Sequence, residues 1–307
     1  MAGLIGAVTL NLALDVTYDV PELVPGGSHR VAQVRQRAGG KGVNVARVAA
    51  TLGHQVLALG LVGGMTGELV AEELFDAGLT ALLTPIAGET RRTVAVVAAS
   101  NGDATIFNET GPSVSADEWR AFLDRLPWAR LSVLTCSGSV PPGIPADAYA
   151  QLAARAREHD VPAVVDAGGS ALLAAAEAGA VVRANAAELR EALGPDTDVA
   201  EGTRRLVALG ARAAVITDGA DGMVAAGPSG AWRALPVERV AGNPTGAGDA
   251  CTAVVAAAIA ANAEVDWPEV LRAAVAASSA AVLTPVAGDI DLAAYRRWLP
   301  AVAVNSL

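Results

Sequence analysis

Between residues 133 and 219 the chain reads VLTCSG (133–138), ADAYAQLAARAREH (146–159), VPAVVDA (161–167), SALLAAAEAG (170–179), VVRAN (181–185), AAELREALG (186–194) and AAVITDG (213–219). The short runs of Val, Ile and Leu read as buried strands. The longer segments, with apolar residues at helical spacing, read as helices. Strands without a polar face that alternate with helices predict a parallel sheet covered by helices, an α/β sandwich.

Upstream, Leu4 to Leu14 reads as one buried strand ending at Asp15, and VNVARVAATL (43–52) as a helix closed by Gly53. QVLALGLVGG (55–64) and GELVAEELFDAG (67–78) continue the alternation. Two stretches break it. HRVAQVRQR (29–37) alternates polar and apolar residues, while TVAVVAAS (93–100) and ATIFN (104–108) flank a turn at Asn101-Gly102-Asp103. Such half-exposed strands do not suit a parallel core. The two insertions, at about 12–37 and 86–108, are expected to meet as a small antiparallel lid on a single domain spanning 1–307. Downstream, MVAAGPSGAWRALPV (223–237) reads as a hairpin, and Trp267 to Leu299 as mostly helical.

Open α/β sheets bind ligands beyond the carboxyl ends of their strands. Those ends carry Asn11, Asp15, Gly39 to Lys41, Ser137 to Ser139, Asp166, Asn185, Thr217 to Gly219 and the segment NPTGAGD (243–249).

Composition excludes several classes. The chain is 52% hydrophobic but has no uninterrupted apolar run long enough to span a bilayer, which suits a soluble enzyme and no membrane partner. The start, MAGLIGAVTLN, has no basic region ahead of its apolar stretch, so a cytoplasmic location is expected. A net charge of −10 argues against a nucleic-acid surface. Cys136 and Cys251 are far apart and read as buried thiols, and the scattered His29, His54 and His159 suit solvated or capping positions.

Gly246, Ala247 and Gly248 precede Asp249 and the apolar helix ACTAVVAAAIAA (250–261). Glycine leaves backbone N–H groups unshielded, and a helix start adds free N–H groups and a positive dipole end, so the turn is an anion site. Asp249 would repel an anion that was merely bound, which points to a reacting group and to phosphoryl transfer. A tight loop with a capping Asp is the alternative. Lys41 is the only lysine among 22 Lys and Arg residues, so position 41 reads as one that needs a compact point charge, with chance retention as the alternative. Asn185 and Glu188, at i and i+3, suit magnesium held through water beside phosphates. They also match a capping box, and the two readings are compatible. No GxxxxGK[ST] loop, dinucleotide GxGxxG or GxSxG elbow is present.

GGKGVNVARVAATLG (39–53) and NPTGAGD (243–249) occur in this order with NAAE (185–188) and TDGADG (217–222) between them. On these motifs the chain resembles the ribokinase-like (PfkB) carbohydrate kinases over essentially its whole length. TLNLALD (9–15), ETR (89–91), FNETGP (107–112) and SGSVPPG (137–143) are most similar to the 1-phosphofructokinase and tagatose-6-phosphate kinase branch. The resemblance implies a ribokinase-like three-layer α/β/α sandwich with a mainly parallel central sheet and a small β-sheet lid. Three positions depart from the pattern: Leu12 stands where proline is usual, Arg183-Ala184-Asn185 replaces K-P-N, and Val254 replaces a frequent glycine. None of them removes a catalytic group.

The resemblance also implies roles. Asp249 would be the base, and the N–H groups of Gly246, Ala247 and Gly248 would hold charge developing on the transferred phosphoryl. Asp15 and Asn44 would face the sugar, with Gly39 and Gly40 as the lid hinge. Lys41 and Arg91, with Ser139, would bind the substrate's own phosphate. Read alone, Arg91 and Arg92 could instead form a solvated strand edge. Asn185, Thr217, Gly219 and Gly222 would lie along the nucleotide, and Glu188 would hold the metal through water. ATP and Mg2+ are the implied cofactors. Fructose 1-phosphate, phosphorylated at its 6-hydroxyl, is the implied acceptor. Tagatose 6-phosphate or fructose 6-phosphate, phosphorylated at the 1-hydroxyl, are the alternatives. A sugar-phosphate sensor without turnover is the reading from another class, and an intact Asp249 weighs against it. Exposed lid edges tend to pair, and together with the resemblance they imply a homodimer through the lid.

Overall fold

The computed structural model describes residues 3–100, 103–262 and 264–307. The turn expected at Asn101 and Gly102 lies outside them. Strand β1 (Leu4–Thr9) opens a large sheet, which the chain leaves through β2 (Ala13–Val20) and β3 (Val34–Gly39). Helix α1 (Lys41–Thr51) returns it to β4 (Val56–Val62), α2 (Gly64–Asp76) and β5 (Ala81–Pro85). A second excursion, β6 (Arg91–Ala98) and β7 (Ala104–Asn108), precedes α3 (Ala116–Arg125). Alternation then runs through β8 (Leu131–Ser137), α4 (Ala148–Glu158), β9 (Ala163–Asp166), α5 (Gly169–Glu177), β10 (Val181–Asn185), α6 (Ala186–Leu193), α7 (Val199–Ala208) and β11 (Ala213–Thr217). The hairpin β12 (Met223–Gly227) and β13 (Gly230–Ala234) leads to α8 (Ala247–Ala261), α9 (Trp267–Val282), α10 (Leu292–Trp298) and a short β14 (Val304–Ser306).

The large sheet has the order β14-β13-β12-β11-β10-β9-β8-β1-β4-β5. It is parallel from β11 to β5 and antiparallel from β11 to β14. Side chains alternate across a strand. Ile5, Val133, Val164, Val181 and Val215 therefore face one core with α1, α8, α9 and α10, whereas Val8, Leu134, Val165, Val182 and Ile216 face the other with α3 to α7. This is why the strands lack a polar face, and the expected three-layer sandwich is present. Helix α8 is apolar on all sides because it is enclosed, and its many alanines let α1 and α9 approach it closely. Among the described residues no helix is long and apolar enough to cross a membrane.

Two expectations need correction. The strand expected over Leu4 to Leu14 is interrupted at Leu10 to Leu12, where the chain passes from the large sheet to the small one, so Asp15 lies inside β2. The small sheet, ordered β3-β2-β6-β7, is mixed: β2 pairs with β3 and β6 with β7 antiparallel, but β2 and β6 run parallel. The cause is that β2 and β6 follow β1 and β5, which point the same way in the large sheet, so both leave its carboxyl side in one direction. Leu12, Leu14, Val16 and Ala38 pack with Val70 and Leu74 of α2 beneath this sheet, while Val34, Ile106 and Phe107 are exposed.

Candidate active site

Helix α8 begins at a turn in which the Pro244 carbonyl accepts the Ala247 N–H at 3.2 Å. Gly246, at φ 90° and ψ −9°, has the backbone of the third residue of a type II turn, which requires positive φ. A Cβ there would also stand 2.9 Å from Ala287 Cα. In this turn the Ala247 N–H is engaged by the Pro244 carbonyl, whereas no such internal bond holds the Gly248 N–H among the described residues. Asp249 sits in the first helical turn, 5% exposed, and its Oδ2 accepts Nδ2 of Asn44 at 2.8 Å. Burial raises its carboxyl to about 7, and the charge of Asp166 acts in the same direction. The Asn44 hydrogen bond, Arg183 and Lys41 oppose the rise. An ordinary aspartate, near ~4, is a weak base for an alcohol, whereas one near the working pH is well matched to take a proton.

Beneath Asp249 lies a group that sequence reasoning missed. Arg183, 6% exposed in the middle of β10, donates to Asp166 Oδ1 at 3.0 Å and to Thr217 Oγ1 at 2.9 Å. Its guanidinium fills the space into which a Cβ on Gly248 would project, so any side chain at position 248 would have to displace it. In the sequence Arg183 is only an arginine in the family's lysine position. No periodicity signals that it lies under residue 248.

On the other side of the site, β2 pairs with β3 so that Asp15 opposes Arg37, and its carboxylate occupies the space a Cβ on Gly39 would need. Gly40, at φ 111°, joins β3 to α1 and leaves no room for a side chain against Thr9. Burial raises the Asp15 carboxyl, opposed by a hydrogen bond from Thr93 and by Arg91, Arg37 and Arg47. Arg91 turns inward, donating from Nε to the Asn11 carbonyl at 3.2 Å and from Nη1 to Thr93 Oγ1 at 3.1 Å. Its exposed neighbour Arg92 reaches Thr66 instead. Arg91 is therefore not a solvated edge residue. Ser139, exposed after β8, accepts Nδ2 of Asn11 at 3.0 Å.

Among the described residues Lys41 and Arg91 have different partners. Lys41 opens α1, and its Nζ stands 3.8 Å from Glu188 Oε1. With Asn44, Asp249, Asn185, Thr217, Gly219 and Gly222 it lines a cleft of about 810 Å³, a size that admits a nucleotide. Glu238 and Arg239 also line this cleft and were not anticipated. The capping box at α6 is real: Asn185 Oδ1 accepts the Glu188 N–H at 2.9 Å, and Glu188 Oε2 accepts the Asn185 N–H at 2.8 Å. Gly222 has φ 85°, and a Cβ there would collide with the Ala234 carbonyl. Burial pushes the Cys251 thiol up to about 11, so it is inert. Among the described residues no cluster of three His, Cys, Asp or Glu could hold a metal ion.

The model for the pfkB family of carbohydrate kinases matches residues 5–292. The chain is 36% identical over 265 residues to a 1-phosphofructokinase from Xanthomonas campestris pv. campestris, an alignment covering 82% of this chain and 83% of that protein. Its structure is similar to the tetrameric inhibited form of phosphofructokinase-2 from Escherichia coli, with TM-score 0.88 and 27% identity over 98% of this chain and 99% of that one. A ribokinase from Thermotoga maritima, with TM-score 0.78 and 16% identity over 98% of this chain and 100% of that one, shares the fold.

Proposed function

Because this chain belongs to the pfkB family of carbohydrate kinases, we propose that it transfers the γ-phosphoryl group of ATP to the 6-hydroxyl of fructose 1-phosphate. The observation that carries the reading is Asp249, buried at the start of α8, oriented by Asn44 and raised to about 7. The 1-phosphofructokinase relative supports this acceptor over tagatose 6-phosphate or fructose 6-phosphate. Asp249 takes the hydroxyl proton as the oxygen attacks the phosphorus, while the N–H groups of Gly246 and Gly248 and the α8 dipole stabilise the charge on the transferred group. Asp15 and Asn44 orient the sugar, and Arg91 and Ser139 hold its existing phosphate. Asn185, Thr217, Gly219 and Gly222 flank the nucleotide. Gly39 and Gly40 are the hinge on which the small sheet closes as a lid of one domain.

Magnesium, when bound, neutralises charge on the nucleotide phosphates. Glu188 fits that ion only through water, since Oε2 is engaged by the Asn185 N–H and Oε1 faces Lys41. This donor set suits an ion carried mainly by the nucleotide. The exposed Val34, Ile106 and Phe107 support a homodimer through the small sheet, and the family supports a cytoplasmic location.

A coupled ADP-release assay over a panel of sugar phosphates tests the reading. Turnover is expected with fructose 1-phosphate, and binding without turnover of any of them would identify a sensor. The 3.8 Å approach of Lys41 Nζ to Glu188 Oε1, in the cleft that Asp249 also lines, supports a role for Lys41 on the phosphate line of the nucleotide. Lys41→Ala should therefore lower kcat about ten-fold or more and raise the KM for ATP. A rise confined to the sugar-phosphate KM would return Lys41 to the substrate's own phosphate.

A further inference from the structure

Asn11 lies in the passage between β1 and β2, 6% exposed, and joins three segments of the site's sugar side. Its Nδ2 donates to the Thr110 carbonyl at 3.1 Å and to Ser139 Oγ at 3.0 Å, and its backbone carbonyl accepts Nε of Arg91 at 3.2 Å. A carbonyl can only accept, so Thr110 fixes which end of the amide faces this junction. The other amide proton then goes to Ser139 Oγ. A hydroxyl that accepts from Asn11 keeps its single proton for another acceptor, and Ser139 is exposed to one from outside.

The amide oxygen is held differently. Asn11 Oδ1 is buried with no hydrogen-bond partner among the described residues. It occupies the space that a Cβ on Gly111 would take, and Gly111, at φ 99°, belongs to the FNETGP segment. An orphaned buried acceptor is costly. An apolar residue would avoid that cost but would remove the donor that holds Ser139 Oγ as an acceptor, so the direction of its proton would no longer be fixed.

Resting on the sugar-phosphate kinase reading above, we infer that Asn11 is a positioning residue for the substrate's own phosphate. It makes Ser139 an outward donor, ties Arg91 to the same junction and seats the Thr110-Gly111 segment, so that both donors are presented to one anion. A carboxylate at position 11 reverses the polarity: it accepts the Ser139 proton, repels the Thr110 carbonyl and places a negative charge beside the phosphate site.

Steady-state kinetics of Asn11→Asp, Asn11→Ala, Ser139→Ala and the double alanine variant test this, with ATP and whichever sugar phosphate the wild type turns over. Asn11→Asp should raise the sugar-phosphate KM about thirty-fold while the KM for ATP stays within about two-fold. The double variant should be little worse than the more affected single one, because both substitutions remove the same outward donor. Equal shifts in both KM values, or effects of the two alanines that multiply as independent ones do, would overturn the inference. Should Asn11→Asp not fold, Ser139→Ala at an exposed position still decides: an unchanged sugar-phosphate KM overturns it. Absence of turnover by the wild type with every sugar phosphate overturns the kinase reading and this inference together. Wild-type turnover with unshifted variants overturns the inference alone.

Discussion

Replacing Asp249 by Asn is expected to lower kcat by ~10²–10⁴-fold, the usual contribution of a positioned general base, while ATP still binds. The substitution is nearly isosteric and leaves an oxygen to accept Nδ2 of Asn44, so the packing at the start of α8 survives. What it removes is the proton acceptor. The wild-type pH profile supplies an independent reading. Asp249 must be ionised to act, and burial with the charge of Asp166 raises its carboxyl to about 7. Activity is therefore present above that value and is lost as pH falls through it, ten-fold per pH unit in kcat/KM at the acid limb. The residual activity of Asp249→Asn should lack this limb. A variant with nearly wild-type kcat, or one that keeps the limb, would remove Asp249 from the role of base.

Arg183→Met should cost about 3–5 kcal/mol of folding stability, the range measured when one partner of a buried ion pair is lost. Met replaces the aliphatic stem of Arg183 but not its guanidinium, and leaves Asp166, 1% exposed, with an unpaired charge beneath the active site. Against a total stability of ~5–15 kcal/mol, that loss shows clearly in a denaturant titration. Arg183→Lys keeps the charge but not the fork that reaches both Asp166 and Thr217, so it should fall between wild type and Arg183→Met. Arg183 also opposes the rise of the Asp249 carboxyl while Asp166 promotes it. Arg183→Met should thus move the acid limb of the pH profile upward. A stability loss below about 1 kcal/mol, a surface-pair value, together with an unmoved limb, would show that the pair is not what supports Asp249.

The alternation of strands and helices was legible because burial on both faces leaves β8 to β11 mostly apolar, and the two cores share their apolar residues between them. The break at Leu10 to Leu12 was not legible. Leu10 and Leu12 are both buried, but in different cores, so apolar residues continue on both sides of the point where the chain changes sheets, with Asn11 the one polar residue between them. Alternation in 29–37 and 93–108 marked half-exposed strands but carries no information on direction, which here follows from the strands they extend.

Within the site, N-x-x-E revealed its cap because both partners lie within one helical turn. The contact of Arg183 with Gly248 joins β10 to α8, and the approach of Lys41 to Glu188 joins α1 to α6. Neither leaves a local signature. Asn11 stood out only as a polar residue at a strand end. Its hydrogen bonds to Thr110 and Ser139 span 99 and 128 residues.

The most direct measurement is phosphorus NMR of the product formed from fructose 1-phosphate, ATP and magnesium. Fructose 1,6-bisphosphate should appear, with the new phosphomonoester on the 6-carbon and one ADP released for each. ATP consumption without a second phosphomonoester on any ketohexose phosphate, or no consumption despite binding, would contradict phosphoryl transfer from ATP to the sugar at the turn that runs from Gly246 to Asp249.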